Sequence, residues 1–379
     1  MLGNISDVTK LAGFEFTKYV TYEDEGNIIA IRGLNCKNGS LDLRDVKYID
    51  NSDFSKLTRS KLYIGDILYT YVGTVGEVAV VDKNDKYYLA PNVARIRLSE
   101  DYNSDFIKQL LGSQNFYNRI VFPLIATSSQ PALSMENLRK FNLKTPSIKE
   151  QQKISILLSL LDERIATQNK IIDKLQSLIK GINKHVFTSN GVNYKLEGLC
   201  EIRSGYSGNQ LTSKRGLKVS RIETISGHKV NMERVGYVAP FESSENYRLQ
   251  VGDILFSNIN SVEYIGNTAF IDKDYNLYHG MNLLRLIPND KVVIPFYLYL
   301  LFNTNRVLNR FKTICNKAVS QASINQTELG KIVIQIPDKN AQKQICELYQ
   351  ALYAKLESEK YANSLFQNQK QYLLRQMFI

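Results

Sequence analysis

Three histidines, four cysteines and one Asp-Val-Lys triplet are the residues whose types could support catalysis or metal binding in this chain. His185, His228 and His279 lie far apart, and none belongs to an HExxH or another metal-spaced set. The cysteines form no CxxC pair, so neither a disulfide scaffold nor a zinc ribbon is indicated. Asp45-Val46-Lys47 is a lone fragment of the paired acids and lysine that a nuclease needs. These residues predict neither a metal site nor a catalytic centre.

The glycine and proline patterns also indicate no catalytic or cofactor-binding motif. No GxxxxGK[ST] loop that would hold a phosphate occurs. Gly73-Thr74-Val75-Gly76 is better explained as a turn, because strand-like residues flank its glycines. None of the 8 prolines is adjacent to another, so the chain lacks the Asp/Asn-Pro-Pro-aromatic motif of methyltransferases that act on base amines. We expect a recognition protein that binds no cofactor itself.

The charge suggests an anionic partner. The net charge is +11 and the isoelectric point is about 9.2, which fits nucleic acid, an anionic membrane or simple solubility. Between residues 203 and 234, Lys and Arg outnumber Glu by 7 to 2. No apolar stretch approaches the roughly 18 residues of a membrane span, and the sequence starts without a signal-peptide pattern. A cytoplasmic protein without a membrane partner is expected.

The elements that must position any binding residues are duplicated. Gly65-Asp66-Ile67-Leu68 returns as Gly252-Asp253-Ile254-Leu255, 187 residues later. From Gln130 and Gln321 onward the offset settles at 191 and stays constant. A repeat of this length, present twice, predicts two whole domains related by pseudo-symmetry, whereas repeats of roughly 20–50 residues would predict a solenoid.

Each repeat begins with strand-like runs and continues with a helical pattern. We expect hairpin turns at residues 82–85 and 272–275, which separate β-branched runs. Helical spacing follows near Phe106–Arg119 and Phe296–Phe311, and a closing strand ends at Pro146 or Pro337. The predicted class is α+β, with strands first and a helix late in each module.

After each of those prolines the apolar residues alternate in steps of four and three, which is the heptad seam of a coiled coil. The first seam consists of Ile154, Leu158, Leu161, Ile165, Gln168, Ile172, Leu175, Ile179, Ile182 and Val186. The second consists of Ile345, Tyr349, Leu352, Leu356, Glu359, Asn363, Phe366, Lys370, Leu373 and Met377. We predict that the two helices pair antiparallel, with Gln168 facing Asn363. Packing of each helix on its own module is the alternative.

The module endings resemble one family. Ser129-Gln130-Pro131-Ala132 and Glu150-Gln151-Gln152-Lys153-Ile154 in the first copy have counterparts in Ser320-Gln321-Ala322-Ser323 and Ala341-Gln342-Lys343-Gln344-Ile345. Together with the order of module, long helix, module and long helix, these motifs resemble the specificity (S) subunit of type I restriction–modification systems. The departure is Ala341, which replaces the usual acidic residue. The resemblance covers essentially the whole chain.

The resemblance implies a layout and a set of partners. It implies two pseudo-symmetric α/β target recognition domains separated by a long antiparallel two-helix coiled coil. The expected boundaries are residues 1–148 and 191–339 for the domains, and 149–190 and 340–379 for the helices. Each domain would read one half of a bipartite double-stranded DNA sequence, while the helices set the spacing and dock two methyltransferase subunits. Restriction subunits would join the complex. S-adenosylmethionine, ATP and magnesium would belong to these partners, in a bacterial or archaeal cell.

The candidate DNA contacts are long donors, amides and aromatic residues in turn-rich segments. In the first module they are Arg32, Asn35, Lys37, Tyr69, Tyr71, Thr74, Ser128, Ser129 and Gln130. In the second they are Arg203, Tyr206, Lys214, Arg215, Arg221, His228, Lys229, Asn258, Asn260, Lys317 and Gln321. Two other functions stay open, namely a fused modification enzyme fragment and a coiled-coil scaffold that binds only protein. A methyl-transfer assay and a gel shift on random DNA would distinguish them.

Overall fold

The computed structural model describes the chain in five stretches, without the side chains of Lys184 and Lys317. The stretches are residues 1–37, 39–126, 130–187, 191–317 and 321–378. The chain folds into two compact units. The first unit contains residues 1–170 and 360–379, and the second contains residues 171–359. Each unit therefore includes part of both long helices.

The first unit is a module of short strands and helices. Its strands are β1 (Ser6–Lys10), β2 (Ile29–Ile31), β3 (Cys36–Lys37), β4 (Ser40–Leu41), β5 (Lys47–Tyr48), β6 (Ile67–Thr70), β7 (Val78–Val80), β8 (Tyr87–Leu89) and β9 (Val93–Leu98). Its helices are α1 (Leu2–Ile5), α2 (Gly13–Tyr19), α3 (Ser104–Leu111), α4 (Gln114–Phe116) and α5 (Met135–Arg139), followed by α6 (Ile148–Val186).

The central sheet of the first unit has the strand order β1-β9-β6-β7, with all neighbours antiparallel. Successive residues of a strand point to opposite faces. Accordingly, Ile67 and Tyr69 belong to one buried cluster with α3, and Leu68 belongs to another on the opposite face. Because both faces of β6 are covered, its residues Ile67, Leu68 and Tyr69 form a continuous apolar run.

The predicted hairpins are wrong. β8 pairs in parallel with β2, and β7 pairs with β6, so residues 82–85 do not join two neighbouring strands. In the second unit, Tyr278 forms bridges to Val219 and Arg248 after the turn at 272–275. A turn sequence marks a change of chain direction, but the strand partner is chosen by distant residues.

The second unit repeats this arrangement. Its strands are β10 (Val192–Lys195), β11 (Cys200–Ser204), β12 (Leu217–Val219), β13 (Gly236–Val238), β14 (Ile254–Phe256), β15 (Ile259–Asn260), β16 (Thr268–Phe270), β17 (Leu284–Pro288), β18 (Asn316–Lys317), β19 (Ala322–Ser323) and β20 (Val333–Ile336). Its helices are α7 (Leu196–Leu199), α8 (Pro295–Phe302), α9 (Asn305–Ile314) and α10 (Gln326–Gly330), followed by α11 (Lys339–Met377). The central sheet has the matching order β11-β17-β14-β16.

The late helix of each module is broken in two, where a single helix was predicted. In the first unit, the Ser113 hydroxyl accepts a hydrogen bond from the Phe116 amide and starts α4. In the second, the Thr304 hydroxyl caps α9 in the same way. A side chain that satisfies a free amide at a helix start favours a new helix at that point.

The predicted closing strand forms in only one module. β20 pairs antiparallel with β10, from Val192 opposite Ile336 to Lys195 opposite Val333. The corresponding residues 142–145 of the first module form no strand. The prediction was therefore right for the second module and wrong for the first, because a strand requires a partner as well as a suitable sequence.

The two long helices pair through the predicted seams. All ten positions of each seam are buried or half-buried. In the first unit, Asp162 contacts Lys370, and the Asn363 amide donates to Asn169 at 2.9 Å. In the second unit, the Tyr349 hydroxyl contacts Asn183. Residue numbers rise along one helix as they fall along the other, so the pairing is antiparallel and within one residue of the predicted register.

The seam residues also pack on the modules. Leu158, Leu374 and Phe378 belong to the main core cluster of the first unit, and Ile179 and Leu356 belong to that of the second. Both packing modes considered from the sequence therefore occur. The predicted fold class, two α/β modules with a long antiparallel pair of helices, is confirmed.

Candidate nucleic-acid interface

In the first unit, three chain segments meet at one side of the module. Val72 and Ala126 each form an antiparallel bridge with Ala132, and the Gly73 amide donates to the Pro131 carbonyl at 2.9 Å. These bonds place exposed Thr74 beside residue 130. We call residues 72–74, 126 and 130–132 the first edge.

The second unit builds the same arrangement as a three-stranded sheet. β19 lies between β15 and β18, with Ala322 opposite both Asn260 and Lys317. Asn258 is tied to this sheet, since its backbone carbonyl accepts from the Ile324 amide at 2.8 Å. We call residues 258–260, 316–317 and 321–323 the second edge. In each unit, the edge therefore joins the segment that follows β6 or β14 to the segment of the module ending that contains Gln130 or Gln321.

A cleft in the first unit brings Lys37 to the first edge. It has a volume of about 410 Å³ and is lined by Leu34, Lys37, Val72, Thr74 and other residues, Glu77 and Asn92 among them. The Lys37 side chain is half exposed, and its ion pair among the described residues is a long contact of 3.9 Å to Asp42. Lys37 and Thr74 can therefore both reach a ligand at this cleft.

Three candidates in the first unit are buried instead of exposed. Asn35 is fully buried, and its amide donates to the carbonyls of Asp42 and Asp45 at 2.9 and 2.7 Å. Tyr69 and Tyr71 belong to the core, where burial raises the pKa of both phenols. These side chains support the loops that carry Lys37 and Thr74. They were predicted to reach the surface, and the structure buries them.

The second unit exposes a basic stretch beside a group of aromatic rings. Lys214, Arg215 and Arg221 are exposed. In the same part of the unit, the Tyr206 ring stacks on Phe241 with centroids 3.9 Å apart. Tyr206 is only half-buried, so one part of its ring stays accessible. Cationic side chains next to an aromatic surface suit phosphate and base contacts.

Two candidates of the second unit face its long helix. The Lys229 ammonium lies 3.0 Å from the Glu357 carboxylate of α11, and the His228 carbonyl accepts a hydrogen bond from the Tyr299 hydroxyl at 2.8 Å. Burial lowers the pKa of His228. This segment therefore contacts α11 through Lys229 and α8 through the His228 carbonyl, while the Lys229 side chain stays 74% exposed.

Several candidate arginines form surface ion pairs. Arg32 contacts Asp45 at 2.7 Å, and Arg203 contacts Glu201 at 2.7 Å. Glu223 lies 3.4 Å from Arg221. The exposed pairs of Arg203 and Arg221 contribute less than about 1 kcal/mol, so a phosphate could replace their carboxylates at little cost. The Arg32 side chain is only 22% exposed and also donates to the Asp45 carbonyl at 3.0 Å.

The remaining candidates are at the edges. Asn260 is half-buried and Gln321 is exposed on the second edge, and Gln130 is exposed on the first. Ser128, Ser129 and the Lys317 side chain lie outside the described residues.

Sequence reasoning missed two side chains. Phe241 supports Tyr206 but lies far from it in the sequence, and Glu77 lines the cleft in a strand-like run. Neither stands out by type or spacing. In the described part of the chain, no three His, Cys, Asp or Glu side chains could share a metal ion.

A family model for the type I restriction modification DNA specificity domain matches the chain twice, over residues 2–177 and 189–364. The chain therefore belongs to this family. The two matches coincide with the two sequence repeats, and they confirm the resemblance inferred from the module endings.

Two curated relatives are specificity subunits. The chain is 44% identical over 150 residues to the putative type I restriction enzyme MjaX specificity subunit of Methanocaldococcus jannaschii, an alignment that covers 39% of this chain and 35% of that protein. It is 22% identical over 398 residues to the type I restriction enzyme EcoKI specificity subunit of Escherichia coli, covering 96% and 84%. These names agree with the prediction that the chain is a recognition component and not an enzyme.

Solved structures share the fold over the full length. The S subunit of the type I restriction–modification system from M. genitalium superposes with a TM-score of 0.62 at 15% identity, covering 100% of this chain and 95% of that one. A chain from a study of complex assembly and conformational transition of the type I R-M system has a TM-score of 0.60 at 17% identity, covering 100% and 96%. Among the described residues, no helix combines the length and apolar character of a membrane span.

Proposed function

We propose that this chain is the DNA-recognition subunit of a type I restriction–modification complex and has no catalytic activity of its own. Each module reads one half of a bipartite double-stranded DNA sequence, and the paired helices set the distance between the halves. Two methyltransferase subunits dock on the chain, and restriction subunits complete the complex. These partners carry S-adenosylmethionine, ATP and magnesium, and the complex works in the cytoplasm, where the chromosome lies.

The observation that carries the proposal is the duplicated edge. In both modules, one segment pairs with a sequence neighbour and with a segment about 60 residues earlier, Val72-Ala132-Ala126 in the first and Asn260-Ala322-Lys317 in the second. The bonds within each edge are made by the backbone. Side chains such as Thr74 and Gln321 can therefore differ between modules while the scaffold stays the same, as two readers of different sequences require.

The charge distribution supports DNA rather than protein as the ligand. The basic stretch of Lys214, Arg215, Lys218 and Arg221 lies in a module, not on a helix. Cationic side chains position a protein on phosphates, and amides and hydroxyls at an edge supply contacts to bases.

A module exchange tests the proposal. The complex of this chain with its methyltransferase subunits is expressed in a host, and the methylated motif is mapped across the genome. Replacing residues 191–339 by the same module of another family member should change one half of the motif and leave the other half unchanged. A change in both halves, or in neither, would contradict the assignment of one half-site to each module.

A further inference from the structure

Residues 142–145 of the first unit form an extended segment beside a groove. Leu143 and Thr145 are half-buried, and Asn142 and Lys144 are exposed, which is the alternation of an extended strand. Within the described residues, no backbone hydrogen bond joins this segment to another. An unpaired row of amides and carbonyls is a template for an added strand.

The groove beside this segment is large and mainly apolar. Its volume is about 690 Å³. Its apolar lining residues include Leu110, Phe116, Ile120, Leu143, Ile154 and Phe378. Three charged residues also line it, namely Arg119, Lys144 and Glu150. Glu150 lies 3.6 Å from Lys153, whereas among the described residues neither Arg119 nor Lys144 forms an ion pair.

The second unit shows the same place in a filled state. Its counterpart cavity has a volume of about 30 Å³ and is lined by Leu301, Val307, Arg310, Ile334 and Gln335, among others. At the offset of 191, these residues correspond to Leu110, Phe116, Arg119, Leu143 and Lys144. The difference between the two places is strand β10, which pairs with β20 in the second unit.

β10 shows what an occupant needs. Val192 lies opposite Ile336, and Tyr194, half-buried against the core, lies opposite Ile334. The Gln335 amide also donates to the Gly191 carbonyl at 3.1 Å. Tyr194 therefore packs on the core opposite Ile334, Val192 stays exposed, and the backbones of the two strands pair.

We propose that the groove of the first unit binds an extended segment of another protein, which adds a strand antiparallel to residues 142–145. The segment carries an aromatic or large apolar side chain opposite Leu143, which is the position that Tyr194 takes opposite Ile334. It carries an acidic side chain opposite Lys144, because Lys144 and Arg119 offer two cations there, whereas the second unit has Gln335 and Arg310. Such strand addition is a common mode of peptide recognition.

A second copy of this chain is the less suitable occupant. Its β10 is already paired within its own second unit. Pairing two such segments with each other would bring Lys144 and Arg119 of both copies together, and like charges oppose that contact.

The first test supplies the strand on the same chain. The segment Ser-Asn-Gly-Val-Asn-Tyr-Lys, copied from residues 189–195, is added after Ile379, which is the position equivalent to its place after Thr188. We expect Tm to rise by about 2–4 °C and hydrogen exchange of residues 142–145 to slow. A tail with Asp opposite Lys144, in place of the central Asn, should raise Tm further. A control tail with Asp in place of Val and Tyr should have neither effect. Equal Tm and exchange for all tails would overturn the proposal.

The second test uses a separate peptide. A fluorescein-labelled peptide Ser-Asn-Gly-Val-Asp-Tyr-Lys should bind the chain without a tail and should not bind the chain whose own tail fills the groove. Equal binding to both chains would place the peptide elsewhere and overturn the proposal. Sedimentation of the chain without a tail addresses the other occupant, since a dimer that the tail abolishes would assign the groove to a second copy and contradict a partner protein.

Discussion

Asp253 and Arg285 form an ion pair of 2.7 Å in which the side chains are only 3% and 6% exposed. Asp253 belongs to the repeated Gly-Asp-Ile-Leu motif. In the first module the equivalent Asp66 also pairs at 2.7 Å, but with Arg97, whose side chain is 39% exposed. Both modules therefore pair the motif aspartate with an arginine of the neighbouring strand. When β9 and β17 are matched by their pairing with the motif strand, the two arginines lie two positions apart. The motif is a structural feature of the sheet.

The buried pair predicts a large loss of stability when one partner is removed. Arg285→Met leaves an unpaired carboxylate in the core and should lower the free energy of unfolding by about 3–5 kcal/mol. Arg248→Met is the matched control, because Arg248 pairs with Asp274 at the surface, and its loss should cost about 1 kcal/mol or less. Urea unfolding measures both. Equal losses would show that burial of the pair has no energetic importance.

His279 predicts a pH dependence of stability. Burial lowers its pKa from 6.5 to about 4, and its Nε2 lies 2.9 Å from the Leu283 carbonyl. Between these pH values the unfolded chain binds the extra proton and the folded chain does not. Stability should therefore fall as pH decreases from about 6.5 to about 4, by about 3 kcal/mol for this group.

The variant His279→Gln tests that assignment, because its amide can still donate to the Leu283 carbonyl. Its unfolding free energy, measured across the same pH range, should change less than that of the native chain. His185→Gln is the control, since His185 is exposed on α6, and it should keep the native pH dependence. An unchanged profile for His279→Gln would contradict the prediction.

DNA affinity should depend on the basic stretch of the second module. If the complex neutralises about eight phosphates, log K should fall with log salt at a slope near −7. Arg215→Ala should make the slope shallower by about 1 if Arg215 contacts phosphate, or cost about 1–3 kcal/mol at one base position if it reads guanine.

Lys343→Ala provides the matched control, because Lys343 lies on α11 outside the basic stretch and its ammonium pairs with Glu347 of the same helix. It removes the same positive charge, yet it should leave both affinity and salt slope nearly unchanged. Titrations at several salt concentrations measure all three proteins. A native slope shallower than about −2 would mean that the basic surplus does not contact DNA.

The helices should set only the gap between half-sites. Inserting seven residues between Gln168 and Ile172 keeps the heptad phase and lengthens α6 by about 10 Å, or roughly three base pairs. With its methyltransferase partner, this variant should modify the same half-sites at a wider spacing, or lose binding if α11 cannot adapt. Methylome mapping reads the result. Altered bases at an unchanged gap would contradict the division between modules and helices.

The sequence predicted features that depend on local periodicity and failed where distant residues decide. The heptad seams were visible because each helix carries its own pattern, and all their positions are buried or half-buried. The parallel pairing of β2 with β8 could not be read from the turn at residues 82–85. Residues 142–145 and 333–336 have similar patterns, but only the second segment has a strand partner.

The candidate DNA contacts fall into two groups, those that are accessible and those that have partners within the protein. Types and turns located the loops around Lys37, Thr74 and Gln321, which the structure leaves accessible. The same criteria selected Asn35 and Lys229, whose partners are Asp42 and Asp45 carbonyls and Glu357. A polar residue in a loop has the same sequence signature whether it binds a ligand or supports the loop.

The two segments of the first unit are made at very different times during synthesis. Leu374 and Phe378 belong to its core, and Phe378 packs on Phe106 with ring centroids 5.2 Å apart. The ribosome makes residues 171–359 between these segments, which takes about 10–40 s at about 5–20 residues per second. The first unit to be translated is therefore the last to be completed. Until then the core of the first unit lacks Leu374 and Phe378, whereas the second unit, whose residues are contiguous, has all of its core as soon as residue 359 is made.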